Sequence, residues 1–129
     1  MIGQYIFIYL IGVSEKENEV HKTSIRSSVI NTIIESYNNS WIAFNALRSD
    51  ASTGKQPDMI MIDYHMLQKN GFNFLEEYQQ ANFLDPHKTK VYILSSAKNK
   101  GSINIDGALA EKVQVLIKPL TEEVIAALI

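Results

Sequence analysis

The sequence predicts a doubly wound α/β fold, a parallel sheet with helices packed on both faces. Short apolar runs recur along the chain at Tyr5–Ile11, Met59–Ile62, Val91–Leu94 and Val113–Ile117. Runs this short and apolar on both faces suit parallel strands covered by helices. Segments with helical spacing lie between them, and strand–helix alternation argues for a parallel sheet. The chain has 129 residues, which at roughly 150 residues per domain predicts a single domain over residues 1–129 with no internal linker or repeat.

Taken in order, Tyr5–Ile11 reads as a buried strand. It is far shorter than the roughly 20 residues of a membrane span. It also lacks the basic residues that would precede a signal-peptide core. Glu15–Ser28 predicts a helix whose apolar stripe is poor, with Val20 and Ile25 its strongly apolar members. Thr32–Tyr37 is more polar and suits an edge strand, and Trp41–Leu47 suits a helix. Ser52–Pro57 is a turn-rich connection. After the Met59–Ile62 strand, Phe72, Leu75 and Tyr78 recur at helical spacing. Ile103–Ala110 suits another helix. Thr121 can cap a last helix, with Glu122 and Glu123 in its first turn where the dipole favours negative charge. Val124, Ile125, Leu128 and Ile129 form that helix's apolar face.

Composition excludes several function classes. At 46% hydrophobic and 20% charged residues, the chain is neither disordered nor fibrous. Fourteen Asp and Glu against 12 Lys and Arg give a net charge of −2, which argues against an overall basic fold that coats nucleic acid. Cysteine is absent, so disulfides, thiolate metal sites and cysteine nucleophiles are excluded. There is no glycine-rich phosphate loop, nucleophile elbow or zinc-ligand spacing.

Ligands and chemistry in doubly wound sheets collect outside the carboxyl ends of the strands. Three polar residues fall there: Asp63, Ser95 and Lys118. An Asp carboxylate can accept a phosphoryl group as an aspartyl phosphate. A Lys supplies a point charge for a carboxylate or phosphoryl oxygen, and a Ser hydroxyl can donate to the same oxygen. Singly, each also reads as an ordinary cap, turn or surface residue. His65, beside Asp63, reads as solvated, and His21 and His87 read as surface residues.

Together the three strand ends carry a resemblance. PDMIMIDYHMLQKNGFNFLEEY, residues 57–78, resembles the phosphoacceptor region of bacterial response-regulator receiver domains, with Asp63, Met66, Asn70 and Gly71 at the family's positions. VYILSSA, residues 91–97, resembles the fourth strand with its switch Ser/Thr at Ser95, and VLIKPLT, residues 115–121, the fifth strand with its Lys-Pro pair at Lys118 and Pro119. The similarity runs over almost the whole chain in the right order. It implies a flavodoxin-like (βα)5 fold, a five-stranded parallel sheet in the order 2-1-3-4-5. It also implies a phosphoacceptor Asp63 that assists its own phosphoryl transfer without being a dedicated enzyme. Lys118 and a Mg²⁺ ion would neutralise the phosphoryl oxygens, and Ser95 would move toward them, shifting a partner-binding face. The implied partners are a histidine kinase or phosphotransfer protein and a downstream effector. A homodimer through the helix 4–strand 5–helix 5 face is a candidate, and the setting is cytoplasmic, without direct nucleic-acid or membrane contact.

The sequence also departs from the family. Receivers carry two adjacent acidic residues at the end of the first strand, which hold the metal. Here that position falls on Gly12-Val13, Val13-Ser14 or Ser14-Glu15 according to register. No register supplies two carboxylates, and Glu15 belongs to the last of them. Metal ligands would then reduce to Asp63, the backbone carbonyl of His65 and, weakly, Glu15, so the Mg²⁺ site is expected to be weakened or absent. Leu67 replaces the usual Pro, and Val115 stands where many receivers have an aromatic switch. Two functions compete on this reading: a phosphorylated receiver, and a pseudo-receiver interaction module that signals without phosphorylation. A flavodoxin-like small-molecule binder or hydrolase lacks any cofactor loop.

Overall fold

The computed structural model describes residues 5–28, 31–69, 71–85, 87–96 and 113–128. Seven strands and four helices are placed there: β1 (Ile6–Ile11), α1 (Glu15–Ser28), β2 (Thr32–Tyr37), α2 (Ser40–Ser52), β3 (Met59–Asp63), β4 (Gln68–Lys69), β5 (Phe72–Asn73), α3 (Phe74–Gln80), β6 (Lys90–Ser95), β7 (Val113–Ile117) and α4 (Glu122–Leu128). The main sheet is parallel throughout, in the order β2-β1-β3-β6-β7. Counting its five strands alone, this is the expected 2-1-3-4-5 order of a flavodoxin-like fold. The helix expected over Ile103–Ala110 lies outside the described residues.

Burial follows the two-residue period of the strands. Tyr9, Ile11, Ile60, Ile62, Val91 and Ile93 face one way and pack with Ala43, Phe44 and Leu47 of α2 and Phe74 and Leu75 of α3. Ile8, Leu10, Met59, Met61, Tyr92 and Leu94 face the other way and pack with Ile25 of α1 and Leu120 and Ile125 near and on α4. This is why β1 and β3 read as unbroken apolar runs: both faces are covered. β2, at the edge, alternates half-buried and exposed residues along Thr32–Ser36.

Local chemistry sets the element ends. The side chain of Asn39 accepts from the Ile42 amide at 2.9 Å and starts α2, which runs on to Ser52, past the expected Leu47. Gly54, at φ 80°, stands just beyond it. Thr121 Oγ1 accepts from the Val124 amide at 3.2 Å and caps α4 as expected. The helix expected to include Phe72 begins at Phe74 instead. Gly71, at φ 80°, makes the turn of a small antiparallel hairpin in which Phe72 pairs with Lys69. Asn73 then caps α3 by accepting from the Glu76 amide at 3.1 Å. Phe72 still packs on the core, but from the hairpin. Among the described residues no helix is long and apolar enough to cross a membrane.

Candidate functional site

The carboxyl ends of β1, β3, β6 and β7 converge on Asp63. It is the last residue of β3 and 1% exposed. The backbone then tightens into a 3-10 turn, Tyr64–Met66, which Asp63 caps: its Oδ1 accepts from the His65 amide at 2.9 Å. Its Oδ2 accepts from Lys118 Nζ at 2.5 Å. Lys118 directly follows β7, and its own amide donates to the Ser95 carbonyl at 2.8 Å, which ties it to the end of β6. The Lys118-Pro119 peptide is cis. Two of the three strand-end residues expected to meet are therefore in contact across the sheet.

Ser95 is buried at the end of β6, one residue beyond Leu94, the neighbour of Asp63 in the sheet register. Its hydroxyl donates to the Ser96 carbonyl at 2.9 Å. His65 is exposed, its ring 5.4 Å from that of Tyr64. Glu15 is exposed at the start of α1. The carboxylate that reaches the site is that of Glu17, two residues along, whose Oε1 accepts from Lys118 Nζ at 2.8 Å. One ammonium thus bridges a buried and a part-exposed carboxylate. Partial burial disfavours the charged Lys118, but its hydrogen bonds to Asp63 and Glu17 outweigh that and hold its pKa above the ordinary value.

The inward face of α1 explains what the sequence pattern left obscure. Val20, one of its two strongly apolar residues, is 58% exposed. The buried face is Asn18, His21 and Ile25, spaced by three and four residues as one helical face requires. His21, expected at the surface, is buried, and its Nδ1 has no hydrogen-bond partner among the described residues. Burial pushes its pKa down; Glu17 opposes that shift, Lys118 reinforces it, and Asp63 opposes it. Asn18 Nδ2 donates to the Tyr37 carbonyl at 3.2 Å, while its buried Oδ1 is unpartnered among the described residues. Polar residues at helical spacing on a stripe-poor helix were the available signal for this face.

The register at the end of β1 is now determined. Ile11 pairs with Ile62, so Gly12 comes level with Asp63. A β-carbon on Gly12 would lie 2.0 Å from Asn18 Oδ1. The carboxamide of Asn18 thus occupies the space of a side chain at position 12. Mg²⁺ favours octahedral oxygen ligands, with carboxylates supplying the charge. Gly12 and Val13 offer no side-chain oxygen, Asp63 is engaged by His65 and Lys118, and Glu17 faces Lys118. Among the described residues no three His, Asp or Glu side chains are grouped to hold a metal. This donor set does not fit the acidic metal site of receivers.

No protein-family model matches the sequence, and no curated protein matches it. Solved structures do. A two-component response regulator from Cytophaga hutchinsonii is 25% identical, with a TM-score of 0.74 over 97% of this chain and 95% of that one. A response regulator receiver domain from Methylobacillus flagellatus is 13% identical, with a TM-score of 0.72 over 97% and 96%. The phosphorylated cyanobacterial phytochrome response regulator RcpA is 17% identical, with a TM-score of 0.72 over 97% and 91%. The chain has the fold of response regulator receiver domains.

Proposed function

We propose that the chain is a receiver domain that accepts a phosphoryl group on Asp63. The observation that carries this reading is the Asp63–Lys118 contact at the carboxyl ends of the strands, a carboxylate with an ammonium 2.5 Å away. In the reaction an Asp63 carboxylate oxygen attacks phosphorus of a phosphohistidine or of a small acyl phosphate. The new O–P bond forms as the bond from phosphorus to the donor nitrogen or oxygen breaks. The leaving group departs with that electron pair and takes up a proton from water where its basicity requires one. Little other covalent work falls to the protein; its contribution is position and charge. Lys118 is poised to hold the phosphoryl oxygens.

Receivers generally bind Mg²⁺ at an acidic pocket, and the donor set here leaves more of the charge compensation to Lys118. On this reading a histidine kinase or phosphotransfer protein is the donor, an effector reads the modified state, and a homodimer through the β7–α4 side is a candidate. A pseudo-receiver that signals unphosphorylated is the second reading, favoured by Gly12 and Val13 in place of two acids. Incubation with acetyl phosphate and Mg²⁺, followed by intact-mass analysis, separates the two. A phosphoryl adduct that Asp63→Asn abolishes supports the first; its absence at high Mg²⁺ supports the second.

A further inference from the structure

We propose that Glu17 is a competing anion for Lys118, a positioning residue that restrains the ammonium and slows its service to a phosphoryl group on Asp63. The inference rests on the phosphoacceptor reading of Asp63 and concerns how that site is restrained. An ammonium has three donors. Two of those on Lys118 are committed, to Glu17 at 2.8 Å and to Asp63 at 2.5 Å. Two carboxylates share one ammonium, so this triad carries a net charge of about −1 at neutral pH. A phosphodonor is itself an anion, and approach to such a triad is opposed unless one carboxylate withdraws.

Asp63 cannot withdraw. It is 1% exposed, and the His65 amide holds its other oxygen. Glu17 can, since its side chain is 30% exposed and solvent is at hand to receive it. Its helix is nonetheless anchored. The Glu17 amide donates to Ser14 Oγ at 3.2 Å, and the neighbouring Asn18 fills the space over Gly12 and binds the Tyr37 carbonyl. The backbone of Glu17 is therefore placed firmly, while its carboxylate is free to swing. That combination suits a restraint that yields when a stronger anion claims the same ammonium.

The test is the initial rate of phosphorylation by acetyl phosphate at fixed excess Mg²⁺, comparing the native chain, Glu17→Gln and Asp63→Asn. Losing a partly exposed charged hydrogen bond predicts a rate about five- to tenfold higher in Glu17→Gln. An equal or slower rate with the native chain still reactive overturns the restraint and leaves the phosphoacceptor reading standing; a slower rate would make Glu17 a helper. No Asp63-dependent adduct in either protein removes both. A second readout needs no phosphate: reductive methylation of Lys118 should run several-fold faster in Glu17→Gln. Unchanged methylation would overturn the claim that Glu17 holds the ammonium.

Discussion

Gly12 and Asn18 share one space: a β-carbon on Gly12 would meet Asn18 Oδ1 at 2.0 Å. The residue level with Asp63 on the neighbouring strand is small because a carboxamide from α1 already stands beside it. An acid grafted at position 12 would therefore collide with the Asn18 side chain. Gly12→Ala should destabilise the protein by about 1–3 kcal/mol, the usual scale of overpacking. In an Asn18→Ala background the same change should cost much less. A double-mutant cycle from chemical denaturation measures the difference. Additive costs would show that the two side chains do not compete.

Lys118 compensates a buried carboxylate, so its loss should be felt in stability as well as in phosphoryl transfer. Lys118→Met leaves the buried Asp63 carboxyl without its cation. Breaking a fully buried pair costs about 3–5 kcal/mol. The part-exposed ammonium lowers the expectation here to about 2–3 kcal/mol. Adding Asp63→Asn should recover most of that loss in urea unfolding. A double variant as unstable as the single would place the penalty elsewhere.

Acid should weaken the fold through His21. Its folded pKa lies below the ordinary 6.5 because it is buried, with Glu17, Lys118 and Asp63 acting on it from nearby. The unfolded chain then binds a proton that the folded chain resists. This contribution is full above pH 6.5 and is lost as pH falls from there through the folded value. Stability measured between about pH 7 and 5.5 should decline, and His21→Gln should flatten the decline. Lys118 has the opposite sign. Its pKa is raised from 10.5, so its stabilisation is full below 10.5 and is lost as pH rises through the folded value. The stability gap between the native chain and Lys118→Met should narrow in that alkaline window.

Divalent binding should be weak. Gly12 and Val13 supply no side-chain oxygens and Glu17 faces Lys118, so a Mg²⁺ titration followed by amide chemical shifts should progress without tight saturation. A stoichiometric, tight isotherm would contradict the donor set described above.

The strands of the main sheet and the meeting of Asp63 with Lys118 were legible in the sequence because unbroken apolar runs mark strands covered on both faces and the polar residues after them mark their ends; the order of the strands came from the family resemblance. The register at the end of β1 was not legible. Its apolar run passes into Gly12 and Val13 with no polar stop, and only the pairing of Ile11 with Ile62 decides it. The α1 side of the site was hidden for a related reason. The helix turns Asn18 and His21 inward beside Ile25 and leaves Val20 in solvent, so its two strongly apolar residues lie on different faces and do not mark a stripe. Glu17 emerges only when that face is oriented, and Glu15, the sequence's candidate, lies on the exposed side.

Phosphoryl transfer to Asp63 can be read directly by borohydride trapping. Acetyl phosphate-treated protein is reduced and mapped by peptide mass spectrometry, because an acyl phosphate on Asp is converted to homoserine. A phosphoacceptor at Asp63 should yield homoserine at position 63 and none in Asp63→Asn. Unmodified aspartate at 63 after treatment at high Mg²⁺, or homoserine at another position, would contradict it.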